Sequence, residues 1–274
     1  MKTSPVAFRA RRDLLRLGAG ALFSAGLWPG RLRAADNGKG GEFTFVTLND
    51  THFHTERCPG WFAKVNASIR ALDPRPEFCF VIGDLGEKGQ PNELGGMRDA
   101  LRDLGIDYYT VIGNHDWTGT TDRSVYEQLF PGHVNYRFEH RDWQFVGLDS
   151  TEGDKYGRTS IQGDTFAWLD ANLARFDRTR PTVLFTHFPL GDGVTMRPAN
   201  ADDLLGRLRD LNLVAVCNGH FHGFTERTFN QATITTNRCC AISRDNHDGT
   251  KEKGYFVYAA SNGALERRFV EVVA

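Results

Sequence analysis

Five short apolar runs in this 274-residue chain each end in a cluster of Asp, Asn or His. Residues 43–48 lead into Asn49-Asp50-Thr51-His52, and residues 78–82 into Gly83-Asp84. Residues 108–112 lead into Gly113-Asn114-His115-Asp116, residues 182–185 into Thr186-His187, and residues 213–217 into Asn218-Gly219-His220-Phe221-His222. One such cluster alone is an ordinary turn; five together are not. Asp50, His52, Asp84, Asn114, His187, His220 and His222 offer oxygen and imidazole donors and no sulfur. That set suits Mn, Fe, Zn, Ni or Co and disfavours copper(I) or a structural thiolate zinc. One zinc takes three or four protein ligands, whereas two ions sharing a carboxylate would use all seven. Two divalent ions roughly 3.5–4 Å apart activate water and clamp a phosphoryl group for in-line displacement. Gly83, Gly113 and Gly219 would let the backbone bend beside these ligands, but plain turns predict the same glycines.

The elements that must position these side chains alternate along the chain. Strand patterns occupy residues 43–48, 78–82, 108–112, 143–148, 182–185 and 213–217. Helical patterns occupy residues 62–72, 92–104, 123–129, 165–175 and 201–211, and Phe166, Leu169 and Leu173 mark one buried face of the fourth. After Phe224 only strand patterns follow, over residues 225–236, 255–260 and 265–272. The expectation is an α/β part with a β-rich end. In α/β sheets, ligands bind at the carboxyl ends of the strands, so the five clusters are expected on one rim.

Composition narrows the partners. With 40% hydrophobic and 24% charged residues, the chain can bury a sizeable core. Residues 1–35 hold seven basic side chains and one acid, which leaves about −7 on the remainder. That sign gives no reason to expect nucleic acid, and a small-molecule partner is expected instead. Within the basic segment, Arg11-Arg12 precede an uncharged run over residues 17–28, then Pro29-Gly30 and Ala34-Ala35. That order marks a secretory signal too short to span a bilayer, and the paired arginines resemble a twin-arginine signal. The expected organisation is a signal peptide over residues 1–35, a linker over 36–41 and one domain over 42–274. Export by the twin-arginine machinery would place the product in the periplasm or outside, with no stable membrane insertion after cleavage. Cys58, Cys79, Cys217, Cys239 and Cys240 are too sparse for a disulfide framework and show no Cys-x-x-Cys spacing. Cys79 and Cys217 read as core residues, and Cys239-Cys240 as a strand alternation with one thiol facing the core.

The ordered set Asp-x-His, Gly-Asp, Gly-Asn-His-Asp, His and Gly-His-x-His, over residues 50–222, resembles the calcineurin-like metallophosphoesterase superfamily. The resemblance implies a four-layer α/β/β/α sandwich of two mixed β-sheets flanked by helices. It implies that Asp50, His52 and His222 hold a first ion, that Asn114, His187 and His220 hold a second, and that Asp84 bridges them. His115 is similar to the histidine that contacts the phosphoryl group and protonates the leaving oxygen. In the protein-phosphatase branch an Asp three residues beyond the bridging Asp orients that histidine. Glu87 stands there in this chain, either acting from a longer arm or lying on the surface; it cannot replace the iron-binding tyrosine of purple acid phosphatases.

Gly-Asn-His-Asp, with Leu148-Asp149-Ser150 leading to Trp168-Leu169, resembles the bacterial cyclic-nucleotide phosphodiesterase branch. Thr186-His187-Phe188-Pro189 departs from it, because that branch commonly has His-His there. The expected activity is hydrolysis of a small phosphomono- or phosphodiester by in-line attack of metal-activated water. A non-catalytic metal-binding or scaffold protein of the same fold would be expected to have lost a ligand or His115. A nuclease is disfavoured by the charge of the remainder. Among other residues, Asp116 reads as a turn or an acceptor behind the ligands, and Trp117 as a pocket wall or packing. His54 reads as a substrate contact or an exposed loop residue, and His133, His140 and His247 match no motif.

Overall fold

The computed structural model describes residues 31–33 and 41–274. The expected signal peptide and linker therefore lie outside the described residues, except for Arg31–Arg33 and Gly41. Beside the short strand β1 (Arg31–Arg33), runs rich in β-branched and aromatic side chains form β2 (Phe43–Leu48), β3 (Phe78–Ile82), β4 (Asp107–Val111), β5 (Tyr136–His140) and β6 (Trp143–Leu148). They continue as β7 (Thr182–Thr186), β8 (Leu213–Asn218), β9 (Thr225–Phe229), β10 (Ala232–Thr236), β11 (Gly254–Ser261) and β12 (Ala264–Glu271). The helices are α1 (Cys58–Arg70), α2 (Pro91–Leu104), α3 (Ser124–Leu129), α4 (Gly163–Asn172) and α5 (Ala201–Leu208).

Two six-stranded sheets result, in the orders β1-β12-β11-β2-β3-β4 and β5-β6-β7-β8-β10-β9. Both are mixed. β2, β3 and β4 run parallel, as do β6, β7, β8 and β10, while β11, β12, β5 and β9 pair antiparallel. The central strands are buried on both faces, which is why they read as continuous apolar runs. Alternation sorts their side chains. Phe43, Phe45, Phe78 and Phe80 of the first sheet meet Trp143, Phe145 and Phe185 of the second in an inner core. Val46, Leu48, Cys79 and Val81 face outward against α1, α2 and α3. Val146, Leu148, Leu184 and Val216 face α4 and α5 on the other side. The four layers are therefore helix, sheet, sheet and helix, as the family resemblance implied.

The departures are local. β5 was not expected from the pattern; its alternate residues are only half-buried, so no apolar run marks it. Residues 225–236 split into a β9–β10 hairpin at Asn230, whose φ of 51° makes the turn. The fourth helix ends at Asn172 and tightens to a 3₁₀ turn at Leu173–Arg175. Cys239 and Cys240 lie outside any strand and are both buried, so the expected strand alternation is corrected; Cys79 and Cys217 are core residues.

The inner core is held by ring stacking between the sheets, with Phe80 over Phe185 at 4.0 Å between centroids. Phe80→Ala is expected to cost about 3–5 kcal/mol, read as a lower urea midpoint with an unchanged slope. A loss under about 1 kcal/mol would show that the two sheets do not depend on this contact.

Candidate metal centre

Parallel strands bring five chain segments to one rim. Beyond β2 and β3 the pairing continues through the turns, with His52 N–H donating to Asp84 O at 2.9 Å and Phe53 N–H to Leu85 O at 2.8 Å. Beyond β7 and β8, Gly219 N–H donates to His187 O at 2.9 Å. The two sheets are tied where they meet. Asn49 Nδ2 donates to Asn218 O at 2.7 Å and His220 N–H to Asp50 Oδ1 at 2.8 Å, while Asn218 Nδ2 holds Thr186 O of the neighbouring strand at 3.0 Å. Asp50, His52, Asp84, His220 and His222 all have positive φ, a conformation that costs a non-glycine residue about 1–3 kcal/mol and clusters at functional sites. The flanking glycines matter more than their sequence suggested. A Cβ on Gly113 would stand 2.2 Å from Asp84 Oδ1, and one on Gly83 2.3 Å from His187 Nδ1.

All seven expected ligands are buried and converge. They form two groups about Asp84. On one side, His52 Nε2 lies 3.7 Å from Asp84 Oδ2 and 3.2 Å from His222 Nε2, which lies 3.4 Å from Asp50 Oδ1. On the other, His187 Nε2 lies 3.3 Å from both Asp84 Oδ1 and Asn114 Oδ1, and 3.2 Å from His220 Nδ1. Three rings have their other nitrogen committed. His52 Nδ1 donates to Glu87 Oε2 at 3.1 Å, His187 Nδ1 to Ile82 O at 2.9 Å, and His220 Nε2 to Tyr156 O at 2.7 Å. That fixes which nitrogen of each ring points inward, and Asp50 Oδ2 is buried with no hydrogen-bond partner among the described residues. Ring nitrogens and carboxylate oxygens this close and this buried need protons or metal cations between them. The residues fit metal ions.

Charge repeats the pattern. Burial lowers His52, and takes His220 down to about 4. Burial also acts on His187, but Asp84 and Asp50 outweigh it and raise that imidazole to about 9. His222 rises to about 11, Asp50 outweighing burial there. Asp50 and Asp84, which burial works to raise, are pulled below the usual carboxylate range by these imidazoles.

An open cleft of about 520 Å³ borders the ligands at Asn114, walled by His115, Lys88, Gln90, Trp117, Asp154 and Tyr156. His115 donates from Nδ1 to the backbone oxygen of Glu87 at 2.8 Å, which leaves Nε2 for the cleft. Of the two readings open for Glu87, a longer arm orienting His115 or a surface side chain, neither describes the geometry: the main-chain carbonyl holds His115, and the carboxylate, 3.8 Å from His115 Nδ1, is bonded to His52 and Arg244. Glu93, in the first turn of α2, accepts the N–H groups of Glu87 and Lys88 at 3.0 and 2.7 Å and shapes that loop. Asp116 is an acceptor behind the ligands, taking Gly86 N–H at 2.9 Å and Gly113 N–H at 2.8 Å. Burial and the Asp84 charge raise it to about 7. Trp117 bonds Thr151 and walls the cleft, while His54 is exposed and donates to His52 O. His133 and His140 lie elsewhere, against Thr110 and Glu77. Sequence reasoning missed His247, which stacks on His222 at 5.0 Å, and Arg244, neither of which follows a strand.

The sequence signature of calcineurin-like phosphoesterases matches residues 43–224, well over half of the chain. The chain belongs to this family, a class of metal-dependent phosphoester hydrolases. It is similar to a glycerophosphodiester phosphodiesterase of Enterobacter lignolyticus, 28% identical over 214 residues, 69% of this chain and 74% of that protein. A probable glycerophosphodiester phosphodiesterase of Arcobacter nitrofigilis is 25% identical over 61% of this chain; the chain spans 64% of that relative, just under two thirds. A probable cyclic nucleotide phosphodiesterase of Synechococcus is 30% identical over 42% of this chain and 43% of that one. Among solved structures, the purple acid phosphatase of yellow lupin seeds superposes with a TM-score of 0.60 at 13% identity, covering 86% of this chain and 53% of that one. GAP50 of Plasmodium does so at 0.62 and 16%, covering 84% of this chain and 85% of that one. At such identities the likeness is one of fold alone.

Metal loading must displace the protons on His187 and His222. Both groups are raised above the ordinary histidine value of about 6.5. The stability they give the metal-free chain is therefore complete below that pH and is lost as pH climbs through about 9 and 11. Calorimetric titration with Zn at pH 7, in buffers of different ionisation enthalpy, is expected to release about two protons per chain. Metal affinity should rise with pH; uptake of metal with no proton release would contradict the arrangement.

Proposed function

We propose that this chain is an exported hydrolase of small phosphodiesters that works with two divalent ions. The observation that carries the reading is the division of Asp84: Oδ1 faces His187 of one ligand group and Oδ2 faces His52 of the other. One carboxylate shared by two complete donor groups supports two ions. Curated relatives named as phosphodiesterases favour diesters over monoesters. Export is supported by Arg11-Arg12 ahead of the uncharged run over residues 17–28. Among the described residues no helix is long and apolar enough to cross a membrane.

Asp50, His52 and His222 would hold one ion and Asn114, His187 and His220 the other, with Asp84 between. When bound, such ions activate water and neutralise phosphoryl charge. The remaining work falls to the chain. Asn114 and His115 stand side by side at the cleft, so an ester seated against the ligands meets His115 Nε2. With Nδ1–H fixed on the Glu87 carbonyl, protonated His115 can give its Nε2 proton to the departing alkoxide. The ring is held edge-on to His52 at 4.9 Å, and the backbone N–H of His115 donates to Asp84 Oδ1 at 2.9 Å, so the segment that carries the proton donor is tied to the bridging carboxylate.

The first test joins metal analysis with hydrolysis of bis-p-nitrophenyl phosphate and p-nitrophenyl phosphate after reconstitution with Mn, Zn or Fe. Near two ions per chain and faster diester turnover are expected. A preference for the monoester would sink the diester assignment, and one ion or none in every reconstitution would sink the dinuclear site. Asp84→Asn is expected to bind fewer ions than the native chain; full metal content would remove its bridging role. His115→Asn should slow alkyl diesters by roughly 10²–10⁴-fold and nitrophenyl esters far less, since nitrophenolate leaves without a proton. Equal losses on both would show that His115 is not the acid.

A further inference from the structure

Beyond the matched family region, residues 237–253 form an irregular loop that returns to the rim. Lys253 is its hub. Nζ donates to Arg244 O at 2.6 Å, to Cys239 Sγ at 2.8 Å and to Asn246 Oδ1 at 3.1 Å. Cys240 N–H anchors the loop to Asn49 O at 2.7 Å, one residue before Asp50. The loop so fixed presents two residues to one ligand group. His247 donates its N–H to His222 O at 2.8 Å and stacks on the ring. Arg244 grips the Glu87 carboxylate, with Nε 3.2 Å from Oε2 and Nη2 in contact with Oε1. The same Oε2 accepts His52 Nδ1 at 3.1 Å.

We propose that Arg244 is a positioning residue for the metal centre, acting through Glu87 on His52. The two-pronged contact fixes both carboxylate oxygens, and a guanidinium suits such a fork where a lysine offers only a point charge. Fixed in this way, Glu87 sets the tautomer of His52 and aims its Nε2 at the Asp50 and Asp84 side. The proposal rests on the two-ion reading, and it concerns only the ion held by Asp50, His52 and His222. Partners that orient metal-binding histidines typically change affinity by about 10–100-fold when removed.

The test is calorimetric titration of the full chain with Zn alone, run on native protein, Arg244→Ala, Arg244→Lys, Glu87→Gln and the Arg244→Ala/Glu87→Gln double variant. Arg244→Ala is expected to weaken one of two binding events about tenfold and leave the other unchanged, with Arg244→Lys recovering only part. Glu87→Gln should weaken the same event. The double variant should be no weaker than Glu87→Gln, because both changes break one chain of contacts. Native affinity in Arg244→Ala would overturn the proposal, as would losses that multiply in the double variant. Unchanged metal binding with a raised KM for bis-p-nitrophenyl phosphate would mean that Arg244 touches substrate instead, and would also overturn it. Fewer than two ions on the native chain would instead fail the two-ion reading itself, a result separable from a native-like Arg244→Ala.

Discussion

Four imidazoles, two carboxylates and an amide are packed so that ring nitrogens face one another and buried oxygens at 3.2 to 3.3 Å. Left alone, such groups would turn away from one another toward water, because a buried polar atom without a donor is costly. The scaffold denies them that freedom. Asn49 and Asn218 lock the ends of the two sheets together, and His187 of one sheet bonds Ile82 of the other. Five of the seven ligands hold left-handed backbone, and Gly83 and Gly113 admit contacts that any side chain would block. These are destabilising choices. They persist because Phe43, Phe45, Phe78, Phe80, Trp143, Phe145 and Phe185 fill the space between the sheets, each buried ring contributing about 1.5–3 kcal/mol.

The ligand set was legible because it follows from one-dimensional facts. A parallel strand buried on both faces is a continuous apolar run, and the residue after it is where ligands gather, so position and chemistry could be read together. The four layers were implied by the family resemblance that this set carries, whereas the strand and helix periods alone pointed only to an α/β part with a β-rich end. Legibility failed where no period exists. β5 is an edge strand with half-buried faces and offers no run to detect. Arg244 meets Glu87 across 157 positions, from a loop with no strand or helix around it. His247 has no motif because it touches a ligand by stacking and through the backbone, neither of which demands a spacing. Glu87 was a middle case. Its place in the motif pointed to His115, and only the geometry shows that main chain and side chain serve different histidines.

The same division separates what the centre does from what it acts on. Ligands sit on strand ends whose positions are set by hydrogen-bonded ladders, so relatives at 25–30% identity can share a family signature while their names carry different substrates. The cleft walls come from loops, where exchange is less constrained. Lys88 rides on the turn shaped by Glu93, and Trp117 is pinned by Thr151. Tyr156 belongs to both parts. The residue is 73% exposed at the cleft, while its carbonyl holds the outer nitrogen of His220 at 2.7 Å. The loop that carries it is pressed against its neighbour, since a Cβ on Gly153 would stand 2.1 Å from Thr120 O. A change of ring can therefore alter what the cleft admits without touching the metal ligands. A change of loop length cannot, because the backbone that shapes the cleft is the same backbone that aims His220.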